Sequence, residues 1–367
     1  MKWGLLAGVI GLAISIPYLY RQLDNEVRRR IEAKFAQHYT GLKVRLRSAE
    51  LVKGEGIQVR GLSILDPAAQ GPRAELLRLE EAFLSCCVDL DKLATQEPEV
   101  TRVVVRRPTV RITRCRDGTW SLDKLLPLPR FGHSTPEVTI ENGTVEIVDP
   151  TKSPPSTWTL RDVNLRLTPG SAAQQPGLGP DVRRIEGSLA GDLLQRVRVE
   201  GLIDTYKPQW DLGGTIEGLQ VSPELREALP ADLAAKLAVL GPLRGSVKLD
   251  FRLIFDPASQ PAYRFDVTGE LTEGRWDDPR IPHPLTDMSA KLRLTNEGFA
   301  LDGLSARSGQ STLRLSCRAA GYDLQSPMWL RAEVRQLDLD PQLVQLLPES
   351  LRASWKKYSP SGRSTPW

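Results

Sequence analysis

Apolar and polar residues alternate along most of the chain after residue 41, with the period of strands that bury only one face. The stretch 246–255 (SVKLDFRLIF) puts its apolar side chains on one face, and 263–271 continues the pattern. The residues of this face that we select as candidates for lining a lipid-binding groove are Val247, Leu249, Phe251, Leu253, Phe255, Phe265 and Val267. Comparable segments predict on the order of eighteen strands, so we expect a mainly β protein.

Each of these half-apolar strands needs an apolar partner for its inner face. Two sheets that pack face to face would supply one. Long helical patterns that could cover a sheet are few after residue 41, and the clearest are 223–240 and 341–356. About eighteen strands side by side at ~4.8 Å would extend roughly 85 Å, and a sheet of that width curls. Closed sandwiches and a curled groove with a continuous apolar lining are therefore both consistent with the pattern.

The first twenty residues contain an uncharged stretch of bilayer length. Residues 3–20 (WGLLAGVIGLAISIPYLY) would span roughly 27 Å as a helix. Trp3, Tyr18 and Tyr20 stand at its ends, where amphipathic rings favour the membrane interface. The stretch lacks the small-residue cleavage site of a signal peptide, so a retained transmembrane anchor is predicted.

Basic residues follow the apolar stretch. Arg21, Arg28, Arg29 and Arg30 are predicted at the membrane interface, and between residues 21 and 60 ten basic residues outnumber five acidic ones. A local excess of this kind favours an anionic membrane surface over a nucleic-acid groove. The positive-inside count by itself would place the bulk of the chain in the cytoplasm.

A short amphipathic helix is predicted over residues 24–39. Val27, Ile31, Phe35 and Tyr39 follow one another at steps of four and so share one face. Arginines occupy the opposite face. The apolar stripe could face lipid, but packing on the sheet is the favoured interpretation.

Turn and cap signals add local predictions. Asn142-Gly143 lies between two alternating arms and predicts a two-residue hairpin turn. Ser121 is predicted to cap a short helix over 122–126.

One device occurs twice, at residues 219–233 (LQVSPELREALPADL) and 337–351 (LDLDPQLVQLLPESL), at an offset of 118. In each copy a residue suited to an N-cap, Ser222 or Asp340, precedes a proline at the first helical position. Each copy also follows an alternating strand. We interpret the recurrence as an internal repeat, and we expect the chain to be the N-terminal portion of something longer.

Signatures of enzymatic chemistry are missing from the sequence. It contains no phosphate-binding glycine loop, no H-E-x-x-H and no paired C-x-x-C, and its three histidines are far apart. Asp277, Asp278 and His283 are close in sequence, but their irregular spacing and the intervening prolines favour a polar loop over a metal site. We therefore predict no catalytic residues, no metal and no cofactor.

Residues 102–116 carry six arginines. These arginines could bind an anion, but a solvated outer strand face is the favoured interpretation.

The chain has four cysteines, which are too few for a disulfide scaffold. They are interpreted as small, partly buried apolar residues.

Several of these segments, taken in order, resemble the AsmA-like family of diderm bacterial envelope proteins, which is related to TamB-like proteins. The resemblance is carried by the apolar stretch at 3–20, by 59–67 (VRGLSILDP) and by 76–93. It continues through 103–126 (VVVRRPTVRITRCRDGTWSLDKLL), which is similar to the family's strand, R-x-P, strand, D-G-x-W pattern, and through 140–150 and 283–316. We identify the chain as resembling the N-terminal portion of this family.

The resemblance implies a transmembrane helix followed by an elongated, curled antiparallel sheet, a chorein-like β-groove with a few short helices. It also implies an anchor in the inner membrane, with the bulk of the chain in the periplasm. On this basis we divide the chain into an anchor and amphipathic helix at 1–40 and groove segments at 41–135, 136–245 and 246–367. The last two segments each end in a copy of the helical repeat.

The function that the resemblance implies is transfer of phospholipid toward the outer membrane, with acyl chains held on the apolar lining. The expected partners are the inner-membrane bilayer, phospholipid as ligand and an unidentified outer-membrane or periplasmic protein, with no nucleic acid. The alternative is a non-enzymatic scaffold that affects outer-membrane protein biogenesis, in which the strands would close into sandwiches. An envelope enzyme is the least favoured interpretation.

Overall fold

A computed structural model describes residues 24–52, 54–86, 99–115, 120–125, 136–150, 156–170, 182–204, 209–228, 234, 240–279, 281, 283–322 and 326–336. The predicted anchor at 3–20 and the second copy of the repeat at 337–351 lie outside these residues. No helix within the described part of the chain has the length and apolar character needed to cross a bilayer.

The described residues are mainly β. A helix, α1, covers 24–38, and a second, α2, covers Pro223–Ala228. Two 3-10 turns, η1 and η2, lie at Gly71–Ala74 and Ser121–Leu125. The strands are β1 Lys43–Val52, β2 Gly56–Leu65, β3 Glu75–Cys86, β4 Val100–Arg106, β5 Thr109–Thr113, β6 Glu137–Asp149, β7 Ser156–Pro169, β8 Val182–Gly191, β9 Leu194–Asp204, β10 Gln209–Val221, β11 Leu243–Phe255, β12 Tyr263–Trp276, β13 Leu285–Thr295, β14 Gly298–Ser308, β15 Ser311–Ala319 and β16 Met328–Arg335.

Hydrogen bonds order the sixteen described strands as β1-β2-β3-β4-β6-β7-β8-β9-β10-β11-β12-β13-β14-β15-β16, and β5 pairs with β3 and β6. The prediction of a mainly β chain with many half-apolar strands is therefore confirmed. β4 and β5 run parallel to β6, whereas the other pairs whose register is defined are antiparallel. A parallel neighbour requires the chain to cross over, and η2 lies within that crossover.

The chain divides into two compact units. Unit 1 contains Met1–Ala190 and Leu202–Lys207, and unit 2 contains Gly191–Gly201 and Pro208–Trp367. The four segments predicted from the sequence have different boundaries, and that division stays a prediction.

Unit 1 has a closed core between α1 and the first strands. Val27 of α1 is buried, Ile31 and Phe35 pack against the same core, and Tyr39 is buried just after the helix. The stripe predicted at steps of four therefore packs on the sheet, as favoured from the sequence. On the strands, Leu62 and Ile64 are 1 % and 0 % exposed.

The turn η2 closes the same core from the crossover. Leu125 is buried, and its carbonyl accepts a hydrogen bond of 3.3 Å from the Tyr39 hydroxyl. Burial raises the pKa of Tyr39 to about 12. Lys124 donates to the buried Asp66 at 2.6 Å. Ser121 accepts from the backbone N–H of Thr113 at 2.8 Å, so its hydroxyl ties η2 to β5. Its predicted role as a helix cap stays a prediction.

The predicted hairpin at Asn142-Gly143 is wrong. Both residues lie inside β6, which continues to Asp149 and pairs with β7 throughout. Asn142 has a φ of 53°, and the β6–β7 register shifts between Ile140 and Gly143, so the left-handed residue makes a bulge. A Cβ at Gly143 would lie within about 3.3 Å of Pro108, Ile140 and Val163. Asn142-Gly143 therefore forms a bulge at which three neighbouring side chains pack closely against the glycine.

Candidate functional site

Cross-strand register places the seven candidate groove residues on one face of unit 2. On β11 they alternate from Val247 to Phe255, and each lies opposite an inward position of β12. Phe251 pairs with Val267, and Leu253 pairs with Phe265. Because directly opposed residues of an antiparallel pair point to the same side, the seven side chains form one surface.

The same surface continues across the neighbouring strands. Leu212 pairs with Leu253 on one side of β11, and Leu294 pairs with Val267 beyond β12. We call the whole set the apolar face of unit 2. Its members on β10–β16, besides the seven candidates, are Trp210, Leu212, Ile216, Leu219, Tyr263, Leu271, Leu292, Leu294, Phe299, Leu301, Leu304, Leu313, Leu315, Cys317, Met328, Leu330 and Val334.

β-Bulges keep the apolar face continuous where the sequence loses its period of two. Leu301 and Leu304 are three residues apart, yet both pair with inward residues of β15, because the register shifts between them. Gly303, inside that shift, has a φ of 62°. Corresponding shifts occur between Ile216 and Leu219. Each extra residue restores the apolar side chains to the same face.

The opposite face of unit 2 is polar. Arg252 makes two hydrogen bonds with Asp211, at 2.9 and 3.1 Å, and Arg293 does the same with Asp266, at 2.7 and 3.2 Å. Lys248, Glu270 and Lys291 stand opposite one another on three successive strands. This face is adapted to water, as alternation requires when only one side is apolar.

One end of the apolar face is closed. There, a buried cluster is formed by Leu243, Met288, Ala290, Leu304 and Ala306, which are 3–9 % exposed. Trp276 and Leu240 pack against it. Arg226 of α2 donates to the carbonyls of Leu240 and Gly241, at 3.3 and 2.7 Å, which fixes the helix to the turn before β11. We call this the closed end.

The middle of the apolar face is only half-buried. Leu249, Phe251 and Leu253 are each more exposed than the buried residues of the closed end. They alternate along β11 with exposed charged residues, Lys248, Asp250 and Arg252. The Phe251 ring lies over Gly214, where a Cβ would come within 2.8 Å of it. Within the described residues, apolar side chains in this region are thus gathered on one surface and left partly accessible.

The other end of the apolar face is aromatic. Trp210 lies 5.9 Å from Phe255 and 5.7 Å from Tyr263, measured between ring centroids. Tyr322, in the loop after β15, lies 6.5 Å from Phe265 and 6.3 Å from Phe299. We call these six residues the aromatic end. Tyr263 and Tyr322 are 44 % and 55 % exposed.

The exposed Tyr322 ring is held in place by the backbone. Its hydroxyl donates towards the carbonyls of Thr295 and Gly298, at 2.7 and 3.0 Å, on either side of the β13–β14 turn. The neighbouring Asn296 bonds to the backbone of Tyr263 and Phe265. These contacts join the ends of β12, β13 and β14 and the loop after β15, so the aromatic end is an ordered structure.

The candidates for the membrane interface are divided by the limits of the described chain. Trp3, Tyr18, Tyr20 and Arg21 lie outside it. Arg28, Arg29 and Arg30 lie on α1, where Arg29 and Arg30 are exposed and Arg28 is half-buried. Arg30 pairs with Glu26 at 3.1 Å, one helical turn away. Their predicted contact with a membrane stays a prediction.

The arginines of 102–116 form ion pairs across the strands of unit 1. Arg106 bridges Glu81 and Glu141 at 3.3 and 3.1 Å, and Arg111 pairs with Glu146 at 2.7 Å. The predicted solvated strand face accounts for Arg106, which is more than half exposed. Arg111 is largely covered, which the charge pattern alone did not indicate.

The polar segment at 277–283 joins strands in unit 2. Asp277 accepts from Arg275 at 2.8 Å, and its backbone N–H donates to Pro242. The described residues contain no group of three side chains that could hold a metal ion. Free thiols are described at Cys86, Cys115 and Cys317, of which two are buried.

Sequence reasoning missed the aromatic end as a unit, because its six residues come from four strands and a loop. The signal that could have found it is the position of an aromatic residue at the same terminus of consecutive strands. Neither a known family model nor a curated protein sequence matches the chain.

Proposed function

We propose that the chain is an inner-membrane-anchored periplasmic protein that binds phospholipid acyl chains on the apolar face of unit 2 and supports lipid transfer toward the outer membrane. The observation that carries the proposal is the half-buried middle of this face, from Leu249 to Leu253, opposite a surface of cross-strand ion pairs.

Acyl chains suit such a face because the hydrophobic effect is non-directional and follows the apolar area removed from water. Each buried methylene contributes about 0.8 kcal/mol, so a chain of many methylenes gains substantial free energy without specific hydrogen bonds. The side chains are mainly leucine, valine and phenylalanine, and no polar group has to be matched to a substrate.

The anchor and the periplasmic location belong to the same proposal. They are supported by the uncharged stretch at 3–20 and by the resemblance to AsmA-like proteins. The groove shape that the resemblance implies would let acyl chains move along consecutive strands. The partners in this proposal are the inner-membrane bilayer, phospholipid and an outer-membrane or periplasmic protein.

A scaffold in envelope assembly is the second candidate, and β16 favours it. Met328, Trp329, Leu330 and Val334 are 44–63 % exposed on this last described strand. Apolar residues at the edge of a sheet suit contact with another protein chain. In that case phospholipid would not accompany the purified protein.

The test is the phospholipid content of the full chain, purified in detergent and measured by mass spectrometry. Phe251→Asp puts a charge in the middle of the apolar face and is expected to abolish phospholipid capture. The matched control is Ile254→Asp, on the same strand but on the polar face, near Asp211 and Arg264. Retention by Ile254→Asp and loss by Phe251→Asp supports the proposal. Equal phospholipid content in both variants and the parent chain contradicts it.

A further inference from the structure

The two ends of the apolar face differ in chemistry, and this difference would orient an amphiphilic ligand bound between them. At the closed end the side chains are aliphatic apart from Trp276, and the five residues of the buried cluster are only 3–9 % exposed. At the aromatic end the rings remain accessible, and Tyr263 and Tyr322 are the most exposed of them.

Tyrosine and tryptophan rings are amphipathic and favour the boundary between hydrocarbon and polar groups. At the aromatic end the backbone turns are polar and exposed, with Asn296 and Glu297 in the turn after β13. Apolar side chains, amphipathic rings and polar turns therefore follow one another along the strands, in the order that a phospholipid presents from chain to headgroup.

The half-buried middle of the apolar face is about as long as one acyl chain. From Phe255 to Leu249 is six residues on β11, or about 20 Å at the rise of a strand. One leaflet of a bilayer has about 15 Å of hydrocarbon. An acyl chain that begins at the aromatic end would therefore extend to about Leu249 and stop short of the buried cluster.

We propose that the aromatic end is the headgroup-proximal subsite: a phospholipid bound to unit 2 places its glycerol and headgroup beside Trp210, Tyr263 and Tyr322 and points its acyl chains toward the closed end. This inference rests on the proposed lipid binding and adds the orientation of the ligand. In this orientation Trp210, Phe255 and Tyr263 lie beside the ester groups of the bound phospholipid, next to its headgroup.

The experiment uses the full chain in detergent and two spin-labelled phosphatidylcholines, one with the nitroxide on the headgroup and one with it near the end of an acyl chain. Trp210 reports on the aromatic end, and its contribution is the emission lost in Trp210→Phe. A second reporter, Leu249→Trp in the Trp210→Phe background, stands opposite Gly269, which has no side chain of its own.

The expected result is that the headgroup label quenches Trp210 and leaves the tryptophan at 249 largely unquenched, whereas the chain-end label does the reverse. The control is Trp276→Phe, which replaces the indole packed at the closed end with a phenyl ring and should not reduce quenching by the headgroup label.

The reverse pattern, or equal quenching of both reporters by both labels, overturns the orientation while showing that lipid is bound. Quenching by neither label, together with no phospholipid in the purified chain, overturns the orientation and the proposed function together. The two failures are therefore distinguishable.

Discussion

Units 1 and 2 are built from strands with the same alternation, yet the first strands of unit 1 are covered and the middle strands of unit 2 are not. In unit 1, α1 and η2 cover β1–β4, and Leu62 and Ile64 are excluded from water. In unit 2, positions of the same kind on β11 remain half-buried between the closed end and the aromatic end. The difference shows that alternation specifies a strand with one apolar face, and that covering segments decide whether this face becomes a core or a surface.

The polar groups differ in the same way. In unit 1, Asp66 and Tyr39 are buried and bond to residues of η2. In unit 2 the comparable ties are exposed, such as Arg293 with Asp266 and Tyr322 with two carbonyls. We expect substitutions in unit 1 to affect stability more than substitutions in unit 2, in proportion to burial.

The largest expected effect is on the buried core. Ile64→Ala removes a side chain that is 0 % exposed and should cost about 2–5 kcal/mol. Leu253→Ala, on the half-buried middle of the apolar face, should cost about 1 kcal/mol, because less apolar area is removed from water there. Urea unfolding of each variant beside the parent chain measures both. Similar losses would show that the apolar face is closed and would contradict the comparison.

The next effect is on the ion pair between Asp66, in the turn after β2, and Lys124 of η2. The hydrogen bond from Lys124, with help from the Ala68 N–H, lowers the pKa of Asp66 below its ordinary value of 3.8. A lowered folded-state pKa stabilises the fold above the ordinary pKa, and the contribution is lost as the pH falls through the folded value. Asp66→Asn should cost about 1–3 kcal/mol at neutral pH, since it removes the charge from a buried side chain that accepts a charge-assisted hydrogen bond from Lys124.

The measurement is the unfolding midpoint at several pH values between about 2 and 7. The difference between Asp66→Asn and the parent chain should shrink at the acid end. The control is Asp302→Asn, whose side chain is half exposed and pairs with Arg318 on the polar face of unit 2. A difference for Asp66→Asn that did not change with pH would contradict the assignment.

Much of the fold was predictable because it depends on local pattern. The strands, the helix over 24–39 and the shared face of Val247–Phe255 all follow from periodicity in the residues themselves. The break between β4 and β5 also follows, since Pro108 has no N–H to donate to a ladder.

The failures concern features that depend on distant residues. Asn142-Gly143 satisfies the rule for a hairpin, but β7 supplies a partner along the full length of β6, so the turn becomes a bulge. Leu301 and Leu304 break the period of two, and only β15 shows that both face the same side. The aromatic end needs four strands and a loop in register, which no single segment specifies.

A third prediction compares two tyrosines that donate to carbonyls. Tyr39→Phe leaves the buried carbonyl of Leu125 without this donor and should cost about 1 kcal/mol, whereas Tyr322→Phe should cost less, because water can replace its hydroxyl. The pKa of Tyr39, raised by burial to about 12, adds a pH effect. Stability should fall as the pH rises from about 10 through that value, because the unfolded chain ionises first.

Alkaline unfolding followed by far-ultraviolet circular dichroism measures this effect. Tyr39→Phe should reduce the alkaline loss of stability, and Tyr322→Phe should change it less. If both variants unfolded at the same alkaline pH as the parent chain, the burial of Tyr39 would not control the transition.

The smallest effect is expected for the ion pairs of the polar face. Arg293 is 60 % exposed, although its guanidinium makes two hydrogen bonds with Asp266. Water screens such a pair, so Arg293→Gln should change the stability less than any of the substitutions above, and less still when salt is added. The same substitution should leave phospholipid content unchanged, because Arg293 and the half-buried leucines lie on opposite faces. A loss of phospholipid equal to that of Phe251→Asp would mean that the two faces do not have separate roles.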